Sequence, residues 1–435
     1  MNPRLRILFC DHLSLARGKY LPAAQAATGE ARFCQGIYAL TYDKDLIPAP
    51  GAKMLEGLPD MVARFDLDQA RPGWRDGEQV VVCDQFDSDG KSLGVCGRAA
   101  LKRAADDWQA RGYAPKIGIE LEAYAMTRGG DGDGNGDSGR WRPLDTPGAF
   151  VYGTGRFTDP HGFTDAIWQR SEQCGFKLEM LTSEFDAPQF EFTLRYDDAV
   201  AAIDEVFLFR LMAREIALEH GILLTFMPKP IAALSGSGVH VNFSLSDANG
   251  NAIADSTSGD GLSELARGCV AGLLHHHRSL AALLAPTVNS YRRLQPATLS
   301  GYWRNWARDH RGVTVRIAGE TGAHARIEHR MADAAANPYT AAAAVLQAAR
   351  LGAAAPDDYP LPPAETADCL ENHDAADGVP DSLGAALDEL ENDRDLSAAL
   401  GAELVANHIA IKRDEVEKTA DLTDDDLRDF YLHFI

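Results

Sequence analysis

The chain has 435 residues, 45% of them apolar, which is enough for two or three domains with a sizeable core. Asp and Glu number 64 against 42 Lys and Arg, a formal charge of −22, so nucleic acid and anionic membranes are poor partners. No apolar run approaches a bilayer span, and the seven cysteines contain no Cys-x-x-Cys pair, which excludes a disulfide framework or zinc–thiolate site and fits a reducing cytoplasm.

The short apolar run near the start ends at Cys10-Asp11, so no signal peptide is expected. Residues 4 to 10 predict a strand, and Arg17-Gly18-Lys19-Tyr20 a turn into a second. Further strands are expected over Lys53–Phe65 and Gln79–Asp84, then a hairpin around Ser88-Asp89-Gly90. Arg98–Arg111 has helical spacing, and Gly112 is its expected C-cap. A domain boundary is placed there, giving regions 1–111 and 112–435.

Lys116–Met126 alternates as a strand with Ile117, Ile119 and Leu121 on one face and Glu120 and Glu122 on the other. Two carboxylates on one face, roughly 6–7 Å apart, repel unless a cation lies between them or water screens them. Gly129–Gly139 starts like a calcium loop at Asp131, Asp133, Asn135 and Gly136, but its twelfth position is Arg142 instead of a bidentate Glu. A surface loop is expected there. Asp159–Cys174 predicts a helix closed by Gly175. Two strands then flank a turn at Asp186-Ala187-Pro188, with Glu184 before it and Gln189, Glu191 and Thr193 sharing a face after it. Asp197–His220 reads as a long amphipathic helix ending at Gly221, and Leu223–Met227 as a buried strand.

Ser235–Leu245 enters through glycines, then alternates Val239, Val241, Phe243 and Leu245 against His240, Asn242 and Ser244. Glycine there lets a ligand approach the backbone. A lone strand histidine is more often structural, but this entry favours a ligand. Leu262–Leu284 predicts one helix carrying His275, His276 and His277, which splay too widely to converge on a metal and read as surface or packing residues. Arg292 and Arg293 follow in a turn, and Gln295–Asp309, with Tyr302, Trp303 and Trp306, reads as a lid-like loop. Arg311 precedes a strand at Val313–Ile317 that carries Arg316. Arg326, Glu328 and Arg330 then share one strand face, Asn337-Pro338 stops the segment, and Tyr339–Leu351 predicts an alanine-rich helix. Asp357–Pro380 reads as a loop, followed by a helix from Ser382 to Glu391, a helical piece at Lys412–Lys418, and a last helix capped by Thr423.

Taken singly, each polar face could be solvated surface. Together Glu120, Glu122, Glu184, Glu191, Glu328 and His240 suit two hard cations such as Mg²⁺ or Mn²⁺. The accompanying arginines suit a transferring phosphoryl group and a carboxylate substrate, so activation of a carboxylate by ATP is the chemistry implied.

Glu120-Leu-Glu122, Glu184 with Gln189-x-Glu191, Gly236-Ser-Gly-Val-His240, Asn289-Ser-Tyr-Arg-Arg-Leu294, and Arg326-x-Glu328-x-Arg330 with Asn337-Pro-Tyr339 stand in an order and spacing that resemble the glutamine synthetase family across nearly the whole chain. The resemblance implies an α+β fold: a small β-grasp-like N-terminal domain and a catalytic domain on a curved antiparallel sheet. It implies rings of subunits, a dodecamer in the usual arrangement, with each site between neighbours. Glu122, Glu184 and Glu191 would hold the metal near glutamate, and Glu120, His240 and Glu328 the metal near the ATP phosphates. Gly236, Arg293 and Arg330 would bind glutamate, Arg311 and Arg316 would face the transferred phosphate, and Asn242, Ser244 and Arg326 would lie on the nucleotide side. Reaction would run through γ-glutamyl phosphate.

The departures concern the acceptor. Ammonia-using members carry an acidic residue where this chain has Leu299, and an Asp where the nearest counterpart is Gln35; the second histidine of a His-x-His pair is Asn242. An organic amine is therefore expected in place of ammonia, with Tyr302, Trp303 and Trp306 as stacking or packing residues and Asp309 or Glu320 as a substitute base.

Overall fold

The computed structural model describes residues 4–129, 140–375 and 377–435. The calcium-like stretch at Asp131, Asp133, Asn135 and Gly136 lies outside them.

The architecture is α+β. Strand Arg4–Cys10 pairs antiparallel with Ala16–Pro22 and parallel with Glu78–Val82 in a four-stranded sheet. A three-stranded sheet of Glu30–Cys34, Asp60–Arg64 and Asp84–Phe86 lies beside it. Alternation sorts most side chains: Leu5, Ile7 and Val81 join Ala63 and Phe65 in a small apolar cluster, while Leu8, Val80 and Val82 turn to the main core, which Phe9, near the strand's end, also joins. The expected turn at Arg17–Tyr20 is corrected, because those residues lie inside the second strand. The chain reverses earlier, where the Asp11 carboxylate accepts the N–H groups of Leu13 and Leu15, each at 2.9 Å, and Ser14 takes φ 66°. The Ser88-Asp89-Gly90 reversal is present, and the following helix runs Gly97–Gln109.

A third, ten-stranded sheet dominates. Its main path is Leu178–Ser183, Gln189–Asp198, Ala114–Arg128, Val239–Asp247, Ile327–His329, Val315–Ile317 and Trp306–Arg308. Every neighbouring pair along it is antiparallel except the last. Ile117, Ile119, Leu121, Val241 and Phe243 turn to the buried face. Behind them runs helix Ala199–Glu219, which buries Ile203, Val206, Phe207, Phe209 and Met212. Burial of each large apolar side chain there stabilises the fold by about 1.5–3 kcal/mol before entropy is counted. Helix Pro338–Ala354 starts at Asn337, whose Oδ1 accepts the N–H groups of Tyr339 and Thr340. Its Nδ2 donates to the Asp11 carbonyl at 2.7 Å, so one side chain both caps a helix and fixes the N-terminal reversal.

Two further expectations are corrected. Leu262–Leu284 is two helices, Glu264–His275 and His277–Leu284, broken at His276. His276 Nδ1 lies 2.7 Å from Asp393 Oδ2 and His277 Nε2 lies 3.0 Å from the Tyr302 carbonyl, so both rings are engaged in packing. Gln295–Asp309 is not structureless either, since Trp306–Arg308 closes the sheet. Lys412–Lys418 lies within a longer helix, Ala402–Thr419.

Candidate active site

Strand register builds the site. Glu120 stands opposite both Thr193 and His240, and Glu122 stands opposite Glu191. One row along, Gly118, Asn242, Glu328 and Arg316 follow one another across four strands. Period-two alternation thus gathers carboxylates, imidazole and guanidinium from distant segments onto one face. His240 Nδ1 lies 2.9 Å from Glu120 Oε2 and 3.7 Å from Glu328 Oε1, while its Nε2 lies 3.7 Å from Glu122 Oε1. Asn242 Nδ2 donates to Glu120 Oε1 at 3.2 Å, and the Gly238 N–H donates to Glu122 Oε2 at 2.7 Å.

Arginines enclose Glu328. Arg316 Nη1 donates to its Oε2 at 2.8 Å, and Arg330 Nη1 donates to its Oε1. Arg293 is buried, with Nη1 donating to the Met331 carbonyl at 2.6 Å and Nη2 to the Arg330 carbonyl at 3.2 Å. Gly236 and Gly238 permit this seating. A Cβ at Gly236 would stand 2.5 Å from Arg293 Cγ, and one at Gly238 would stand 2.5 Å from Arg293 Nη2. Gln189 Nε2 donates to the Gly236 carbonyl at 3.0 Å and locks the glycine segment to the sheet.

The donor set fits hard divalent cations. Glu120, His240 and Glu328 form one group, and Glu122, Glu191 and His240 another, with ligand atoms within 4.8 Å of one another in each. Burial, with the Glu120 charge next, pushes the Glu191 carboxyl up to about 7. Burial and the charge of Glu122 also raise Glu184. Crowded carboxylates that resist ionising are a surplus a cation would relieve. Burial works against Glu120 as well, but the His240 hydrogen bond and charge hold it down at about 2. Glu184 belongs to neither close group, although it is near enough to feel Glu122 and Arg311. Arg311 itself is exposed.

On the other side of Glu120 a cavity of about 410 Å³ is lined by Asn242, Ser244, Arg326, Lys116, Glu179 and Tyr196, among others. Arg326 Nε donates to Asn242 Oδ1 at 3.1 Å and its Nη1 lies 3.1 Å from Glu320 Oε2. Tyr196 was missed in the sequence because strict alternation puts it on the opposite side from Glu191 and Thr193. A bulge between Leu194 and Asp197 shifts the register and brings it into the cavity lining.

The loop side of the cluster is less closed. Leu299 is 46% exposed, and its carbonyl lies 3.5 Å from Arg330 Nη2. Gln35 is buried and donates to the Gly51 carbonyl at 2.7 Å. Asp309 Oδ1 accepts from Arg316 Nη2 at 2.6 Å. The Arg316 hydrogen bond and charge lower the Asp309 carboxyl, and a backbone hydrogen bond and Arg326 lower Glu320, so both are weaker bases than free carboxylates. Trp303 is stacked on His373, ring centroids 3.6 Å apart, and Tyr302 meets its edge at 4.8 Å. Trp306 is buried, with Nε1 donating to the Pro362 carbonyl at 2.8 Å. These aromatics pack the loop down.

Residues 94–431 match the family model for the glutamine synthetase catalytic domain. The chain is 34% identical over 419 residues to a glutamine synthetase of Pyrococcus abyssi, covering 95% of this chain and 90% of that protein. It is 31% identical over 404 residues to the gamma-glutamylethanolamide synthetase GlnA4 of Streptomyces coelicolor, covering 90% of this chain and 84% of that protein. It also superposes on a solved structure of a GmaS/ADP complex with TM-score 0.81 at 28% identity, over 97% of this chain and 95% of that one.

Proposed function

The chain belongs to the glutamine synthetase family of ATP-dependent ligases, and from that premise we propose that it forms a γ-glutamyl amide from glutamate and an organic amine. The observation that carries this reading is an asymmetry of the site. Carboxylates, His240 and arginines converge on the phosphoryl side, whereas Leu299 and the buried Gln35 stand where ammonia-using members place carboxylates. Without those two carboxylates NH₄⁺ loses charge partners that it cannot replace, whereas an organic amine can add contacts made by its carbon body.

In this reading Glu120, His240 and Glu328 hold one Mg²⁺ or Mn²⁺, and Glu122, Glu184 and Glu191 the other. When bound, these ions neutralise phosphate oxygens. Arg293, Arg330 and the open Gly236 backbone position glutamate, while Asn242, Ser244 and Arg326 border the nucleotide. Arg316, braced between Glu328 and Asp309, and Arg311 stabilise charge on the transferring phosphoryl group. The γ-carboxylate oxygen attacks the terminal phosphorus and ADP leaves, giving γ-glutamyl phosphate. The amine nitrogen then bonds to the acyl carbon, the C–O bond breaks toward phosphate, and the surplus proton is released. The reading includes self-association into rings, with region 1–111 of one subunit against region 112–435 of the next.

The GlnA4 and GmaS likenesses support the amine branch; ammonia as the acceptor is a second reading, favoured by relatives such as the Pyrococcus abyssi enzyme. The test is purified protein with ATP, Mg²⁺, glutamate and a panel of amines, read as ADP release and as amide by mass spectrometry. Amide from at least one alkylamine or amino alcohol at a higher kcat/KM than from ammonia is expected; turnover with ammonia as good as with every organic amine overturns the proposal.

A further inference from the structure

Among the described residues, four of the five most exposed large apolar side chains are Phe157 at 78%, Phe150 at 77%, Phe185 at 76% and Tyr152 at 75%. They lie in two short loops that are tied together. The Tyr152 N–H donates to the Ser183 carbonyl at 2.9 Å, and the Ser183 hydroxyl donates to the Phe150 carbonyl at 2.8 Å. Ser183 immediately precedes Glu184, and Phe185 immediately follows it. The loop is internally braced: the Gly153 N–H donates to the Phe150 carbonyl at 2.8 Å, and Phe157 leans on Gly148, where a Cβ would stand 3.1 Å from its ring. Exposed rings scattered singly need no explanation, but a cluster on two joined loops beside a carboxylate does.

We propose that Phe150, Tyr152 and Phe185 form an aromatic rim that receives the apolar body of a primary ammonium substrate, with its charged head toward Glu184. The inference rests on the organic-amine reading and deepens it by naming the substrate class: a primary amine with an alkyl or aryl body. Charge complementarity selects this occupant. Glu184 stands between Ser183 and Phe185 on these joined loops and is near enough to Glu122 to feel its charge, so a carboxylate that attracts a cation adjoins rings that can cover a carbon chain.

The experiment compares the wild type with Phe150→Ala, Phe185→Ala and the ring-preserving Phe185→Tyr, using methylamine, butylamine, phenethylamine and 1,4-diaminobutane as acceptors. In the alanine variants the KM for butylamine and phenethylamine should rise about tenfold relative to that for methylamine. The KM values for glutamate and ATP should stay within about twofold, and Phe185→Tyr should restore the wild-type pattern. Equal changes for all four amines, or loss of self-association in size-exclusion chromatography with no change in amine ranking, would make the rim a subunit contact and overturn the proposal. A wild type that turns over ammonia but none of the four amines removes the organic-amine reading itself. A wild type that uses them with variants unchanged removes only the rim.

Discussion

The two sides of this site are built from different material. The phosphoryl side stands on a sheet: Glu120, His240, Asn242, Glu328 and Arg316 occupy adjacent register positions, and most are buried. The proposed acceptor side stands on loops, with Leu299 and the Phe150–Phe185 cluster exposed. A sheet fixes distances between residues remote in sequence, which suits chemistry that every family member shares. Loops can change residue type without disturbing that register, which suits selection among acceptors.

The most severe way to break the contrast is Glu328→Ala. It removes a carboxylate shared by Arg316, Arg330 and a candidate cation group; Arg316 keeps Asp309, but the buried Arg330 loses its carboxylate partner. We expect kcat to fall about 10³-fold and stability to drop by about 3–5 kcal/mol, read by steady-state assay and urea unfolding. Glu328→Gln keeps the volume and should recover part of the stability but little of the rate.

Leu299→Glu sharpens the contrast from the other side. A carboxylate at this exposed position should lower the KM for ammonia about tenfold relative to that for an organic amine, with the phosphoryl side untouched. Ammonia kinetics indistinguishable from the wild type would show that the missing charge does not set acceptor choice.

Acid acts on packing behind the site. Burial lowers His277 and His408 to about 3, and each ring holds a backbone carbonyl, of Tyr302 and Ala282 respectively. The unfolded chain takes up protons near 6.5 while the folded one does not, so stability is full above that pH and falls as the pH drops toward 3. Urea midpoints measured from pH 7 to 4 should decline, and His277→Gln should flatten the slope.

The smallest effect is expected at Trp303→Leu. Its ring stacks on His373 and its Nε1 donates to the Pro296 carbonyl at 3.1 Å, so the loss should be about 1–2 kcal/mol of stability with no selective change in amine KM.

These differences follow how the sequence could be read. Alternation in Lys116–Met126 and Val239–Leu245 exposed the polar row because a one-residue slip in a strand reverses its faces. Arg326–Arg330 was legible for the same reason. Its regular strand is only Ile327–His329, and the flanking arginines hold their places by pairing with Glu320 and Glu328. What could not be read was irregular. No period announces the bulge that brings Tyr196 to the cavity, the Asp11 reversal, or the break at His276. Each depends on hydrogen bonds or packing between distant segments. Trp306 looked like loop furniture until the sheet supplied Val315–Ile317 as its neighbour.

His240 has a further consequence. Its Nδ1 faces Glu120 and Glu328, while its Nε2 faces Glu122. A neutral imidazole carries one lone pair in the ring plane, so it can ligate on one side only and must offer a proton on the other. With the proton on Nε2, the proposed cation position beside Glu120 and Glu328 gains the imidazole, and the one beside Glu122, Glu184 and Glu191 faces an N–H instead. The two positions cannot fill independently, and a divalent-ion titration should resolve a tighter event followed by a weaker one.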